Sequence, residues 1–125
     1  PEVAWIKTNI KRNEKKEPVL TTKIRRLGGS LATTVPYALV KYFQLKPPKG
    51  ITWERWNDGS PALIFVPEIT SYCNDEYCCI RQLFSLGNSI LTTIPAKMAR
   101  ALGFKVGDTL VWRLKNPYGA EVRKA

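Results

Sequence analysis

The sequence repeats itself at a fixed spacing of fifty-nine residues, and this repeat constrains the fold more than any single motif does. Residues 28–36 read Gly-Gly-Ser-Leu-Ala-Thr-Thr-Val-Pro, and residues 87–95 read Gly-Asn-Ser-Ile-Leu-Thr-Thr-Ile-Pro. The offset holds without a gap to the end of the chain, where Lys46 matches Lys105 and Trp53 matches Trp112. Similarity at one such period indicates two copies of one structural unit.

Each copy predicts the order strand, strand, helix, strand, strand. The strands are indicated by β-branched residues and by alternation of apolar and polar positions. Each helix is expected to begin at a proline, Pro36 or Pro95, because the missing N–H of proline costs nothing there. Gly103 suits the end of the second helix, whereas Gln44 at the matching position predicts a differently built exit. The predicted strands span 19–27, 31–35, 51–56, 62–66, 80–84, 90–94, 109–114 and 120–123.

A unit as small as one repeat, with one short helix, cannot bury a sufficient hydrophobic core alone. We therefore predict that the repeats 19–66 and 78–125 share one core, so that 19–125 is one compact internal pseudo-dimer. Residues 1–18 are predicted to form a basic N-terminal arm, and residues 67–77 a Cys-containing linker. The tryptophans at strand positions, Trp53, Trp56 and Trp112, are expected in the core, with Trp53 and Trp112 at equivalent places.

The chain is strongly basic, with twenty Lys and Arg against ten Asp and Glu and a net charge of +10. A basic protein attracts polyanions, because each neutralised phosphate releases condensed counterions. The charge is uneven, at +7 up to Val66 and +3 after it. Charge alone does not separate DNA from RNA or from anionic lipid. The sequence has neither a long apolar run nor a signal-like start, so we expect an intracellular protein with no membrane partner.

All three cysteines lie between Pro67 and the start of the second repeat, at Cys73, Cys78 and Cys79, and the chain has no histidine. A zinc site takes four ligands, usually Cys and His, so one molecule cannot complete the usual site. We predict no metal and no cofactor. A disulfide from Cys73 to Cys78 or Cys79 is an alternative, but an intracellular protein is usually reduced. The favoured interpretation is buried or idle thiols.

The sequence does not favour an enzyme. It offers no histidine for acid–base catalysis and therefore no Cys–His pair. The turn at residues 28–30 lacks the Gly-Lys-Ser/Thr ending of a phosphate loop and joins two predicted strands. The prediction is a binding protein.

The second repeat resembles the SpoVT-AbrB swapped-hairpin family, which includes AbrB-type regulators, MazE antitoxins and tandem-repeat MraZ proteins. The resemblance is carried by Gly-Asn-Ser at 87–89, Ile-Pro at 94–95, Gly-Phe at 103–104, Gly-Asp at 107–108 and a strand centred on Trp112. It covers nearly all of the second repeat and, more loosely, the first. It implies a mainly β chain with two short helices, whose tandem repeats interleave strands in a swapped-hairpin β-barrel. It also implies a cytoplasmic, nucleoid-associated transcriptional regulator that acts by occupying double-stranded DNA.

In that family DNA lies along the first hairpin and its turn, which implies a set of contact residues in this chain. Phe84 and Ser85 replace the pair Arg25 and Arg26 in the second repeat. Because Arg suits both phosphate and guanine contacts, we expect the first repeat to bind more strongly. The implied nucleic-acid-binding residues are Lys23, Arg25, Arg26, Gly29, Ser30, Thr34, Arg81, Ser85, Asn88, Ser89 and Thr93.

Three other functions remain open. A general nucleic-acid coating or architectural protein, for DNA or RNA, would have the same basic charge. An antitoxin is expected to need a tail beyond the fold, whereas this sequence stops at Ala125 directly after the last predicted strand. An oligomeric scaffold would use self-association beyond the pseudo-dimer and bind no nucleic acid.

Overall fold

The computed structural model describes residues 19–70, 75–115 and 118–125. The predicted basic arm and Cys73 lie outside these ranges. The described chain is mainly β with two short helices, as predicted. Its elements are β1 (Leu20–Leu27), β2 (Ser30–Thr34), α1 (Tyr37–Phe43), β3 (Gly50–Glu54), β4 (Ala62–Val66), β5 (Cys78–Gln82), β6 (Phe84–Leu86), β7 (Ser89–Ile94), α2 (Ala96–Leu102), β8 (Thr109–Lys115) and β9 (Gly119–Lys124). Neither helix is long and apolar enough to cross a bilayer, a statement that covers the described ranges only.

All nine of these strands pair antiparallel in one sheet, in the order β5-β3-β4-β9-β8-β1-β2-β7-β6. The long strand β1 pairs with β8 through its first half and with β2 through its second half. The predicted barrel is wrong, because the sheet is open, with β5 and β6 at its two ends. The expected single strand 80–84 is divided at Leu83 into β5 and β6, and the Leu83 N–H donates to the Lys49 carbonyl at 2.9 Å.

Strand pairs join the first half of the chain to the second half throughout the sheet. In the pairing of β1 with β8, Leu20 lies opposite Trp112. In the pairing of β5 with β3, Cys79 lies opposite Trp53. Adding fifty-nine to Leu20 gives Cys79, and subtracting it from Trp112 gives Trp53. The two pairings therefore have the same register.

The two remaining cross-pairings place equivalent residues opposite each other. Thr33 faces its counterpart Thr92 where β2 meets β7. Leu63 faces its counterpart Val122 where β4 meets β9. A pairing in which a position meets its own copy is what a local two-fold relation between the halves requires.

The core is centred on three aromatic rings from three strands. Trp53, Phe65 and Trp112 are buried, and the Phe65 ring lies 5.4 Å from Trp53 and 5.5 Å from Trp112 between centroids. The two indoles are 6.1 Å apart. Each indole N–H is satisfied, by the Thr93 carbonyl at 3.0 Å for Trp53 and by the Thr22 hydroxyl at 2.8 Å for Trp112. The predicted core positions of these two tryptophans are confirmed.

The core prediction for Trp56 is wrong. Strand β3 ends at Glu54, so Trp56 falls in the loop before β4 and is 49% exposed. Its Nε1 lies 3.4 Å from the Glu54 carboxylate, which also accepts a hydrogen bond from the Tyr118 hydroxyl at 2.6 Å. That contact with Glu54 raises the pKa of Tyr118 to about 12. Trp56 therefore belongs to a polar surface cluster.

Both helices end in the same way, contrary to the prediction of different exits. Gly103 has φ 72° and Gln44 has φ 55°, so both residues are left-handed. The next N–H also bonds equivalently in the two repeats, from Leu45 to Val40 at 2.9 Å and from Phe104 to Ala99 at 2.8 Å. The repeated packing around the helix thus imposes on glutamine a conformation that glycine adopts more readily.

We expect Gln44→Gly to raise the free energy of unfolding by about 0.5–1 kcal/mol, because glycine avoids the Cβ penalty of positive φ. Gln44 is exposed, so the change removes no buried side chain. Urea denaturation measures the gain. The matched change Gly103→Ala should lower the free energy of unfolding by about 1 kcal/mol, because alanine is strained at positive φ. The new Cβ adds no clash, since it would lie 3.9 Å from the Lys124 Nζ. A less stable Gln44→Gly protein would contradict this account.

The cysteine prediction is wrong for one residue. Cys78 is disulfide-bonded, and a disulfide is unusual in a reducing compartment. The turn before it is ordered by Asp75, whose carboxylate accepts from the N–H groups of Tyr77 and Cys78 at 2.8 and 2.9 Å. Cys79 is buried, as expected, and lies in the core beside Trp53.

Candidate nucleic-acid interface

The neighbouring arginines of β1 lie on opposite faces of the sheet, because side chains alternate along a strand. One row across β1, β2 and β7 contains Arg26, Leu31 and Ile94. Ile94 is buried in the core and Leu31 packs against it, so this row faces inward. Arg25 belongs to the next row and faces outward, as does Lys23 two residues earlier. The sequence-predicted Arg25–Arg26 pair is therefore divided between two surfaces.

A groove of about 620 Å³ lies beside the β1–β2 turn on the inward side of Arg26. Four cationic residues line it, and none of the carboxylates in the described ranges does. Its walls also include apolar residues, among them Leu31, Ile94 and Phe104. The cations come from β1, β5, α2 and the loop after α2, and they are Arg26, Arg81, Arg100 and Lys105.

Backbone hydrogen bonds bring the α2–β8 loop against β1. The Ile24 N–H donates to the Asp108 carbonyl at 2.9 Å, and the Gly107 N–H donates to the Ile24 carbonyl at 2.8 Å. These bonds lie two residues from Arg26 and two from Lys105. The end of β1 that carries Arg26 and the α2–β8 loop that carries Lys105 therefore lie side by side.

Arg81 reaches the groove from β5 and is held by its own strand. Its Nη1 donates to the Ile80 carbonyl and to the Cys79 sulfur, both at 2.9 Å. Neither partner is a carboxylate, so neither forms an ion pair with Arg81. A half-buried, positioned guanidinium can still donate its remaining N–H groups to an anion.

The groove cations form no ion pair with any described residue. The ion pairs of residues 19–70, 75–115 and 118–125 are Lys115 and Arg123 with Glu121, and Lys124 with Asp108. Asp108 also accepts a hydrogen bond at 2.8 Å, from the backbone N–H of Lys105. Lys105 forms no ion pair with a described residue and lines the groove.

The fifty-nine-residue offset maps the groove onto a smaller hollow of about 130 Å³ in the other half. Tyr37 and Val40 line the hollow where Ala96 and Ala99 line the groove. Lys41, the counterpart of Arg100, lies with its Nζ 5.7 Å from the centre of the Tyr37 ring. The remaining lining residues of the hollow are Thr34, Val35, Asn88, Ser89 and Ile90.

The cations are also unequal between the two sites. Arg26 and Arg81 correspond to Ser85 and Thr22, so two of the four positive charges have no counterpart in the other half. Larger side chains and fewer charges distinguish the hollow from the groove. The two halves thus share a backbone arrangement but present different sites.

The structure divides the sequence-predicted residues into three groups. Five line the groove, and these are Arg26, Gly29, Ser30, Arg81 and Thr93. Three line the hollow, and these are Thr34, Asn88 and Ser89. The other three, Lys23, Arg25 and Ser85, are exposed and line neither.

Sequence reasoning missed Arg100 and Lys105, although a signal existed. Both positions are cationic in both repeats, as Arg100 with Lys41 and Lys105 with Lys46. The prediction considered only the first hairpin of each repeat, up to Thr34 or Thr93, and these two residues follow the helix start. Their relevance came from the folding of the α2–β8 loop onto β1.

The described ranges contain no group of three or more acidic or cysteine side chains placed to hold a metal ion. No protein family model, curated protein or solved structure matches this chain. Any functional conclusion therefore depends on the geometry and the charge of the site.

Proposed function

We propose that this protein binds double-stranded DNA through the outward face of the β1–β2 hairpin and regulates transcription by occupying that DNA. The observation that carries the proposal is the pair of exposed cations, Lys23 and Arg25, on a face with no ion pair among the described residues. Phosphate contacts by Lys and Arg supply most of the affinity of such complexes. The net charge of +10 supports long-range attraction to the same ligand.

We infer also that the two repeats form an internal pseudo-dimer of the swapped-hairpin type. The support is the set of four pairings that join the halves, β1 with β8, β3 with β5, β2 with β7, and β4 with β9. In such a pseudo-dimer the two hairpins lie side by side and present one continuous face. That face would extend from β1 through β2 and β7 to β6.

The duplex is expected to lie nearer the first hairpin. At positions where β1 has Lys23 and Arg25, the second repeat has Gln82 and Phe84. Neither of these replaces the lost charge. The protein acts without a metal or cofactor and without catalysis in this proposal.

We expect the combined change Lys23→Ala and Arg25→Ala to weaken binding to duplex DNA and to flatten its salt dependence. If both residues meet phosphates, the slope of log affinity against log salt should fall by nearly two units, since each contact contributes about 0.9. Fluorescence anisotropy of a labelled duplex over a salt series measures both quantities. Single-stranded DNA and RNA of the same length serve as competing ligands.

The matched control is Arg113→Ala, which removes an exposed arginine from β8 outside the hairpin. It should leave the slope within experimental error of the parent protein. An unchanged slope in the double variant would place the DNA face elsewhere. Equal affinity for duplex DNA, single strands and RNA would favour a coating protein, and no binding to any of them would favour the scaffold.

A further inference from the structure

We propose that the groove beside the β1–β2 turn is a binding site for one phosphate group, present once per chain. The duplex face lies on the outward side of β1, whereas the groove lies on the inward side and draws three of its four cations from the second repeat. The proposal is therefore a second site, which does not depend on DNA binding along the hairpin.

The charge of the groove selects an anion. Arg26, Arg81, Arg100 and Lys105 line one space, and no carboxylate from the part of the chain that the structure describes lines it with them. Guanidinium groups match the oxygens of a phosphate with paired N–H donors, and a lysine adds a point charge.

The volume and the walls indicate what carries the phosphate. About 620 Å³ is the size of a small-molecule site rather than of a single-ion site. Phe104 and Ile94 line the groove and are buried in the core, so part of its wall is apolar. The site thus fits a phosphate attached to a larger group, either a free organic phosphate or the backbone of a nucleic acid.

The hollow in the other half explains why there is one site and not two. Ala96, an exposed residue with a small side chain, leaves room at the groove, whereas Tyr37 stands at its counterpart. Lys41 lies over the Tyr37 ring. The charges supplied by Arg26 and Arg81 are absent there as well. Size and charge therefore both restrict binding to the groove.

The test compares two probes, inorganic pyrophosphate and a DNA duplex, on the full chain. Ala96→Tyr introduces the residue of the hollow at an exposed position of α2, so the fold should be retained. Arg100→Ala with Lys105→Ala removes two groove cations and leaves Lys23 and Arg25 intact. The matched control is Lys41→Ala with Lys46→Ala, which removes the counterparts of the same two residues. Circular dichroism and the midpoint of thermal unfolding establish that each variant is folded.

Calorimetry should give one pyrophosphate per chain, with affinity at least tenfold weaker in Ala96→Tyr and in the groove double variant, and unchanged in the control. If the two groove variants lose duplex affinity in addition, the groove seats a backbone phosphate. If they lose pyrophosphate binding alone, the ligand is a free phosphate compound. Both results support the site. Pyrophosphate binding by a protein that does not bind DNA would support the site and reject only the proposed function.

Two results would overturn the inference. Pyrophosphate binding that is equal in the parent protein, Ala96→Tyr and the groove double variant would place the anion elsewhere. No pyrophosphate binding, together with duplex affinity unchanged by the groove variants, would reject the site while leaving DNA binding on the outward face intact.

Discussion

Replacing Trp112 with alanine should lower the free energy of unfolding by about 3–5 kcal/mol, and replacing Trp53 should have a similar effect. Each indole is buried and touches Phe65, so its loss leaves a cavity where strands from both halves meet. Each change also removes a buried N–H donor and leaves its partner, the Thr22 hydroxyl or the Thr93 carbonyl, without that bond. Urea denaturation at 25 °C gives the difference.

The control is the same substitution at Trp56, which is 49% exposed. Trp56→Ala should change the free energy of unfolding by no more than about 0.5 kcal/mol, as for other surface substitutions. Phenylalanine at position 112 should cost less than alanine, because it fills most of the space and lacks only the N–H. A Trp112→Ala protein as stable as the parent would exclude an equivalent core role for the two tryptophans.

Residues 78–125, expressed alone, should be either unfolded or dimeric. In the full chain β5, β7, β8 and β9 each pair with a strand of the first half, so the isolated fragment loses four ladders. A second copy could restore all four, because the registers on the two sides are equivalent. Joining the halves covalently provides that partner at high effective concentration.

Sedimentation equilibrium and far-ultraviolet circular dichroism, measured over a range of fragment concentrations, distinguish these states. Ellipticity that rises with concentration in step with dimer formation is the expected result. Addition of residues 19–66 in equal amount is the control, and it should restore folding at lower total concentration if the halves prefer each other. A folded monomer of residues 78–125 would contradict the shared core.

Much of the fold could be predicted because the residues that begin and end its strands and helices are recognisable locally. An unbroken apolar run closed by Pro67 predicted β4 at Ala62–Val66, and Pro95 predicted the start of α2 just after it. Two departures are not marked locally. The strand expected at 80–84 divides at Leu83, although the bond from its N–H to the Lys49 carbonyl matches the bond from Ile24 to the Asp108 carbonyl in the unbroken β1. Gln44 adopts a left-handed conformation because the packing of the repeat requires it.

The site was predicted less completely for a related reason. The sequence places Arg25 and Arg26 side by side, but only the register with β2 and β7 shows which of them faces inward. Arg100 and Lys105 are more than seventy residues from Arg26 in the chain. A loop folded across β1 makes them neighbours, and no local pattern encodes that contact.

The pairing of Thr33 with Thr92 and of Leu63 with Val122 has a consequence for how such a protein can change. Two identical chains related by a two-fold axis must carry every surface feature twice, because one gene specifies both copies. Here each half has its own codons. A tyrosine can occupy position 37 while an alanine occupies position 96, and an arginine can occupy position 26 while a serine occupies its counterpart, position 85. One half is free to specialise while the other keeps the strands in place.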